Sequence, residues 1–299
     1  MVSLLRRLTL LIPILALAGC AAGGASRNAF DPVAQDVPEI DPAFPPQNVE
    51  VSFSSAGRQL PGYLMVPNGR GPHPTIVLLH GYPGNEKNLD LGQSLRRAGF
   101  NVFFIHYRGA WGAQGRYSLT TLHQDVAAAL SWLRAEGRQY RVDGLRFSLV
   151  GHSMGGYAAL RAGGSDARLD CVVGLAASNP GEYADRDQAA RDGFAAYTDG
   201  LFMLEGFDGE TAMRELTENQ RAFDLRNAAA GLAGKSVLLI TGRQDTAVPI
   251  DVQRRLVASY EQNPRIKLTA LEMEGDHSFS GHRMLMQRTV VAWMAQTCR

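Results

Sequence analysis

The chain has 299 residues and a formal net charge of +1 at pH 7, with 45% hydrophobic and 20% charged residues. A charge balance this close to zero argues against nucleic acid or a strongly acidic molecule as the partner. No internal repeat is apparent in the sequence.

The first 19 residues have the layout of a secretory signal peptide. Two arginines precede an apolar run at residues 8–17, and this run is too short to span a membrane. The run ends in Leu-Ala-Gly-Cys at residues 17–20, which is similar to a bacterial lipobox. The likeness implies that Cys20 carries a lipid and is the first residue of the mature protein.

A lipid on Cys20 would anchor the protein in the cell envelope. Ala21 is not the aspartate that favours retention in the inner membrane, so we expect the outer membrane, facing the periplasm. The alternative is a conventional signal peptide cut near residues 18–25, which would release a soluble exported protein.

Residues 20–47 are small and polar with several prolines, which predicts a flexible tether. Residues 48–299 then remain, and their number suits one large α/β domain. After two strands at 49–54 and 59–66, strands alternate with helices. The strands are at 75–79, 101–106 and 146–150, and the helices at 89–98, 119–136 and 153–162. This alternation predicts a mostly parallel sheet flanked by helices, with a site at the carboxyl ends of the strands.

Two of the predicted strands lead into loops that we expect at this site. The strand at 75–79 continues as His-Gly-Tyr-Pro-Gly at residues 80–84, and the strand at 101–106 is followed by Tyr-Arg-Gly at 107–109. Arg108 has two interpretations: it anchors its own loop, or it contacts an anionic group of the substrate.

The most informative stretch is Gly-His-Ser-Met-Gly at residues 151–155, because a strand precedes it and a helix follows it. A glycine-flanked serine in this context is typical of a nucleophile elbow, a tight turn that presents the serine oxygen at a helix N-terminus. The alternative is a helix that merely begins with a serine cap. The neighbouring His152 is expected to face away from the site.

An acyl-transfer serine needs a base and a group that orients the base, and candidates for both follow downstream. Asp245 lies in the loop after an apolar strand at 236–240, and His277 lies in the loop after a strand at 266–271. Asp245 has a second interpretation as an ordinary loop acid or helix N-cap. Asp276 is a rival acid, although its place beside His277 in the sequence hinders contact with that ring.

With these motifs the chain resembles the α/β-hydrolase superfamily of serine hydrolases, in its esterase and prolyl-oligopeptidase-like branch, over roughly residues 48–297. The resemblance implies an α/β-hydrolase fold: a mostly parallel sheet flanked by helices, with a small cap insertion. It also implies that Ser153, Asp245 and His277 form a catalytic triad, in the chain order that this family uses.

The same resemblance implies an oxyanion hole built from the backbone N–H groups of Tyr82 and Met154. His80 would brace the loop that carries Tyr82. The resemblance implies no cofactor. No two histidines have the spacing of a helical metal site with a glutamate between them, so no metal is expected.

Residues 179–234 interrupt the alternation of strands and helices, at the place where the family inserts its cap. The apolar residues of this segment either pack among themselves or line a substrate pocket. Apart from Cys20, the cysteines are Cys171 and Cys298. The strand-like run around Cys171 favours a small buried residue, although export would also permit a disulfide between the two.

We therefore expect a hydrolase that cleaves small or medium carboxylic esters through an acyl-enzyme. Its partners would be a small ester or amide substrate and, through the lipid anchor, a membrane. One alternative is a serine peptidase or amidase of the prolyl-oligopeptidase type. Another is a catalytically silent envelope-binding protein on a hydrolase scaffold. The sequence indicates no oligomeric state.

Overall fold

The computed structural model of the protein describes residues 30–298, so the predicted signal peptide and Cys20 lie outside the described residues. Eight strands form one sheet in the order β1-β2-β4-β3-β5-β6-β7-β8. They are β1 Gln47–Ser55, β2 Arg58–Val66, β3 His73–Leu79, β4 Asn101–Ile105, β5 Val142–His152, β6 Leu169–Leu175, β7 Ser236–Gly242 and β8 Lys267–Met273. The pairs β1–β2 and β2–β4 are antiparallel, and the other neighbouring strands run parallel.

Helices cover both faces of this sheet. They are α1 Leu89–Arg97, α2 Leu122–Glu136, α3 Met154–Ser165, α4 Gln188–Asp199, α5 Gly209–Glu218, α6 Gln220–Phe223, α7 Ile250–Glu261 and α8 Arg283–Thr297. Alternate residues of the central strands enter opposite cores: Val77 packs with α2, α3 and α7, whereas Leu78 packs with α1 and α8. The predicted fold class, a mostly parallel sheet flanked by helices, is confirmed. Among the described residues, no helix is long and apolar enough to cross a membrane.

The second helix begins three residues later than the sequence predicts. The Glu215 carboxylate accepts hydrogen bonds from the Ser118 hydroxyl (2.7 Å) and from the Leu119 N–H (2.8 Å). Residues 118–121 form a turn closed by a bond from Thr121 N–H to Ser118 O. This contact with the distant helix α5 holds the segment outside α2, and local periodicity does not reveal it.

Residues 32–46 are not a free tether. The Arg97 guanidinium donates to the carbonyl oxygen of Pro32 (2.6 Å), and Arg141 donates to that of Pro45 (2.8 Å). The Asn68 side chain donates to the carbonyl oxygen of Glu39 (2.9 Å). The predicted flexible tether at 20–47 is therefore wrong for this part, because arginines and an amide of the domain bind its backbone.

A disulfide joins Cys171 in β6 to Cys298, just after α8. Cys171 is fully buried, as the sequence indicates, but the preference for a small unpaired residue is wrong. Helix α8 packs its apolar side, including Met286 and Met294, on the sheet. This packing brings the two Cα atoms to 6.0 Å, within the range that a disulfide spans.

The segment at 179–234 contains α4, α5 and α6 in place of a strand. It touches the body of the domain through an isolated bridge between Leu204 and Ala110. Leu204 and Phe207 are buried, whereas Phe202 is 91% exposed. Part of the apolar set in this segment therefore serves packing.

Candidate active site

Ser153 forms the turn between β5 and α3. Its φ of +57° lies in the left-handed region, which residues with a side chain rarely adopt. Two backbone hydrogen bonds hold it there: its N–H donates to Leu175 O (2.8 Å), and its carbonyl oxygen accepts from Ser178 N–H (3.0 Å). The strained backbone is thus fixed by β6 and the residues just after it.

The glycines around Ser153 are required by close backbone approach. A β-carbon at Gly155 would overlap the carbonyl oxygen of Leu79, and one at Gly151 would overlap the carbonyl oxygen of Gly155. Because both lack a β-carbon, α3 begins directly against the end of β3. The glycine-flanked serine is therefore a tight strand-to-helix turn, and an ordinary serine cap does not describe it. The Ser153 side chain makes no capping hydrogen bond.

Asp245 and His277 are in direct contact. The Nδ1 of His277 donates a 2.8 Å hydrogen bond to Oδ2 of Asp245, whose side chain is fully buried. The other oxygen, Oδ1, accepts from the N–H groups of Ala247 (2.9 Å) and Val248 (2.8 Å). The carboxylate thus has partners on both oxygens and a fixed orientation toward the imidazole.

Asp276 occupies a different position. Its Oδ1 accepts from the Ser280 N–H at 2.8 Å, and hydrogen bonds from Ser280 lower the pKa of this exposed carboxyl. Within residues 30–298, no hydrogen bond joins Asp276 to the ring of His277. The structure therefore places Asp245, and not Asp276, beside the imidazole.

Within the described residues, no direct hydrogen bond joins Ser153 to His277, and the contact between their segments is made by His152. The ring of His152, the residue before the serine, packs on the ring of His277 with centroids 4.7 Å apart. The hydrogen bond between a catalytic serine and its base is often long in an unliganded enzyme and tightens only with substrate.

The loop after β3 lies against the serine. A β-carbon at Gly81 would be 2.9 Å from that of Ser153, so the loop approaches within backbone contact. Tyr82 follows in this loop, and Met154 provides the first N–H of α3, where helical N–H groups have no partner within the helix. The two predicted oxyanion donors thus stand on the two segments that adjoin Ser153.

His80 fixes the peptide that carries the Tyr82 N–H. Its Nδ1 donates to the carbonyl oxygen of Gly81 (2.8 Å), and its Nε2 accepts from Nδ1 of His106 (3.2 Å). In a trans peptide the C=O and N–H point in opposite directions, so holding Gly81 O also sets the direction of the Tyr82 N–H. Burial lowers the pKa of His80 to about 4 and that of His106 to about 3, which keeps both rings neutral near pH 7.

Arg108 anchors its own loop, which favours the first of its two interpretations over a substrate contact. Its Nε donates to Asp125 Oδ1 (2.6 Å) and its backbone N–H to Asp125 Oδ2 (2.9 Å). Asp125 is fully buried and also accepts from the Ser55 hydroxyl. A guanidinium held by a buried carboxylate ties its loop to α2 and is not free to bind a ligand.

Two contacts at the site were not predicted from the sequence. The Tyr82 hydroxyl donates to the Thr198 hydroxyl of α4 (2.8 Å), and the Tyr82 ring lies 5.6 Å from that of Phe194. His152 does not face away from the site, because its Nε2 donates to the carbonyl oxygen of His277 (2.7 Å). In the sequence, His152 is marked only by its place next to Ser153 in the turn motif. Nothing in the sequence pairs Tyr82 with Thr198.

The described residues contain no group of three or more His, Cys, Asp or Glu side chains that could hold a metal ion. The residues described above supply a serine hydroxyl, an imidazole, a carboxylate and backbone N–H donors. This set suits nucleophilic attack on a carbonyl and stabilisation of an oxyanion.

Comparison with known proteins identifies the family of the chain. A profile of the family described as "Alpha/beta hydrolase family" matches residues 76–292. An uncharacterized 31.7 kDa protein of Escherichia coli is 30% identical over 122 residues, which are 39% of this chain and 42% of that protein. The match thus spans less than half of the relative's length.

Solved structures share the fold at low sequence identity. An esterase of Pyrococcus furiosus superposes with a TM-score of 0.65 at 19% identity, over 86% of this chain and 93% of the esterase. An acylaminoacyl peptidase of Pyrococcus horikoshii superposes with a TM-score of 0.64 at 17% identity, over 85% of this chain and 42% of the peptidase.

Proposed function

The chain belongs to the alpha/beta hydrolase family, and on this premise we propose that it is a serine hydrolase that cleaves small or medium carboxylic esters. The observation that carries the proposal is the 2.8 Å hydrogen bond between His277 Nδ1 and Asp245, beside the strained turn at Ser153. A buried, hydrogen-bonded carboxylate that orients an imidazole near a serine is the arrangement that activates the hydroxyl.

In this mechanism, Ser153 Oγ attacks the ester carbonyl carbon while Nε2 of His277 takes the hydroxyl proton. The imidazolium then gives that proton to the departing alkoxide oxygen, and the acyl group stays on Ser153. Water attacks the acyl-enzyme, loses its proton to His277, and the carboxylic acid leaves as Ser153 Oγ regains a proton. Asp245 keeps the proton on Nδ1 and stabilises the imidazolium throughout.

The oxyanion formed at each attack would accept hydrogen bonds from the backbone N–H groups of Tyr82 and Met154. Two features support this assignment: the bond from His80 to Gly81 O, which sets the Tyr82 peptide, and the position of Met154 at the start of α3. Preorganised donors of this kind need no rearrangement as charge develops.

The helices at 179–234 support a compact substrate and argue against a lipase lid. A lid that docks on lipid needs a broad apolar face. Phe202 is 91% exposed and Tyr197 is 50% exposed, whereas Leu201 and Met203, on either side of Phe202, pack partly against the core. Esters with short or medium acyl chains fit such a cap better than emulsified triglycerides.

A peptidase or amidase of the prolyl-oligopeptidase type is the second candidate, because an acylaminoacyl peptidase shares the fold. Only 42% of that peptidase is matched, whereas 93% of the Pyrococcus furiosus esterase is matched. The fold is thus compatible with either activity, and turnover of esters and amides separates the two candidates.

The proposed function is tested by labelling with a fluorophosphonate probe and by turnover of esters, thioesters and aminoacyl amides. We expect the probe to modify Ser153, and Ser153→Ala to lose about 10⁴- to 10⁶-fold in turnover with its fold retained. Amide turnover faster than ester turnover would favour the peptidase. An unlabelled protein with no turnover of any class would favour the silent binding protein.

We also propose that the protein is exported and lipid-anchored through Cys20, which lies outside the described residues. The disulfide between Cys171 and Cys298 supports an oxidising compartment such as the periplasm. The intact mass of the mature protein should correspond to a lipidated chain that starts at Cys20. An unmodified chain with another first residue would indicate a conventional signal peptide. In Cys20→Ala we expect a soluble protein or arrested processing.

A further inference from the structure

His152 connects the serine turn to the backbone of His277. It ends β5, immediately before Ser153, and is 4% exposed. Its Nε2 donates a 2.7 Å hydrogen bond to the carbonyl oxygen of His277, across 125 residues of chain. Its ring also packs on the His277 ring, with centroids 4.7 Å apart and planes inclined by 49°.

This hydrogen bond determines the protonation of His152. A carbonyl oxygen only accepts, so Nε2 carries the proton and Nδ1 of the neutral ring does not. That Nδ1 is buried and has no hydrogen-bond partner within the described residues. A buried polar atom without a partner destabilises the folded state, a penalty that an apolar side chain in the same place would avoid. What the imidazole adds over an apolar ring is the Nε2–H donor.

Burial, together with the groups around His152, makes it unsuitable as a second base. It faces His277 and Asp245, and Arg283 at the start of α8 adds positive charge. Burial, followed by the influence of His277, lowers the pKa of His152 to about 4, so its ring stays neutral near pH 7. Its contribution is therefore positional.

The loop that carries His277 is held at two consecutive carbonyls. His152 binds the carbonyl oxygen of His277, and the Arg283 guanidinium donates to that of Ser278 (2.9 Å). Arg283 is itself fixed by Asp90 in α1 (Nε to Oδ2, 3.0 Å). The loop is thus tied to β5 on one side and to the α1–α8 pair on the other.

We propose that His152 is a positioning residue, whose Nε2–H fixes the backbone of His277 so that the imidazole stays aligned between Asp245 and Ser153. The inference rests on the proposed function, because that function makes His277 the base. Removing the hydrogen bond leaves His277 and Asp245 in place but loosens the alignment, and sub-ångström alignment governs the rate of proton transfer.

Three variants separate the hydrogen bond from the bulk of the ring. His152→Gln places an amide N–H where Nε2 stands, His152→Asn places one near Nδ1 instead, and His152→Phe keeps a ring without a donor. We expect His152→Gln to retain kcat within about twofold. His152→Asn and His152→Phe should lose about threefold to tenfold in kcat with KM unchanged, as a typical net hydrogen bond predicts.

A second measurement is independent of turnover. The proton on His277 Nδ1, hydrogen-bonded to Asp245, should give a far-downfield NMR signal. We expect that signal to persist in wild type and His152→Gln, and to shift or broaden in His152→Asn and His152→Phe. Equal kcat and an unchanged signal in all three variants would overturn the proposal, and so would a His152→Gln variant as impaired as His152→Phe. If His152→Phe does not fold, the comparison of His152→Gln with His152→Asn still tests the proposal.

Failure of the proposed function has a different signature. In that case the wild-type protein shows no fluorophosphonate label and no turnover, whereas the NMR comparison still reports whether His152 aligns His277.

Discussion

The Tyr82 hydroxyl donates a 2.8 Å hydrogen bond to the Thr198 hydroxyl, which joins the loop after β3 to the last turn of α4. Thr198 is the buried residue of that helix, and its hydroxyl in turn donates to Phe194 O (2.9 Å). Because the Tyr82 backbone N–H is the proposed oxyanion donor, one residue connects the cap helix to the reaction centre.

Loss of this hydrogen bond should loosen α4. Tyr82→Phe keeps the backbone N–H and the ring, so we expect kcat to change little. KM should rise by about twofold to tenfold, the size of one neutral hydrogen bond. Hydrogen exchange of α4 amides should accelerate. Thr198→Val is the matched partner, and the double variant should match either single one. Additive effects would indicate that the two hydroxyls act separately.

The acid assignment is decided by two isosteric changes. In Asp245→Asn the amide no longer stabilises the required tautomer or the imidazolium, so we expect a loss of about 10⁴-fold in kcat. Asp276→Asn should stay near wild type, since that carboxylate caps Ser280 N–H at the surface. An inactive Asp276→Asn variant together with an active Asp245→Asn variant would reverse the assignment.

Substrate length should show an optimum. Each acyl methylene that enters the pocket adds about 0.8 kcal/mol, so activity should rise over the first few carbons and fall once the pocket is full. The measurement is kcat/KM for p-nitrophenyl esters from about two to about sixteen carbons, with and without an emulsion. Highest activity at the longest chains, with activation at the interface, would indicate a true lipase.

Stability should fall as the pH drops below about 6.5. His80 and His152 have pKa values of about 4 in the folded chain, lowered by burial from about 6.5. Between those values the unfolded chain binds protons that the folded chain does not, which favours unfolding. Each ring should cost up to about 1.4 kcal/mol per pH unit in this window.

Urea unfolding between pH 6.5 and pH 5 measures this effect above the range in which ordinary carboxylates titrate. His152→Gln removes one titrating ring. The slope of its unfolding free energy against pH should therefore be smaller than that of wild type by up to about 1.4 kcal/mol per pH unit, the contribution of one proton. Parallel curves for wild type and His152→Gln would contradict a neutral, buried His152.

The disulfide should contribute to stability. Cys298→Ala breaks the bond and leaves the buried Cys171 in β6 unchanged, and we expect a loss of about 2–4 kcal/mol in the free energy of unfolding. Wild type treated with dithiothreitol should lose a similar amount. A reductant-insensitive wild type, equal in stability to Cys298→Ala, would indicate that the two thiols do not pair in solution.

Much of the candidate site follows from local sequence. The serine turn is predictable from its local motif: Gly151 answers a backbone contact with the nearby Gly155, although Gly155 itself answers one with Leu79 in β3. Asp245 and His277 are predictable because each follows an apolar strand, and the carboxyl ends of parallel strands meet at one edge of a sheet. Alternation of strands and helices likewise predicts the fold class.

Only the tertiary structure decided the contacts that join segments far apart in the chain. The direction of the His152 ring depends on where the loop after β8 lies, 125 residues away. The pairing of Cys171 with Cys298 depends on where α8 ends above the sheet. The role of Arg108 as an anchor depends on the buried Asp125 in α2. Hydrophobic periodicity encodes which face of an element is buried, but it does not encode which distant polar group completes a hydrogen bond.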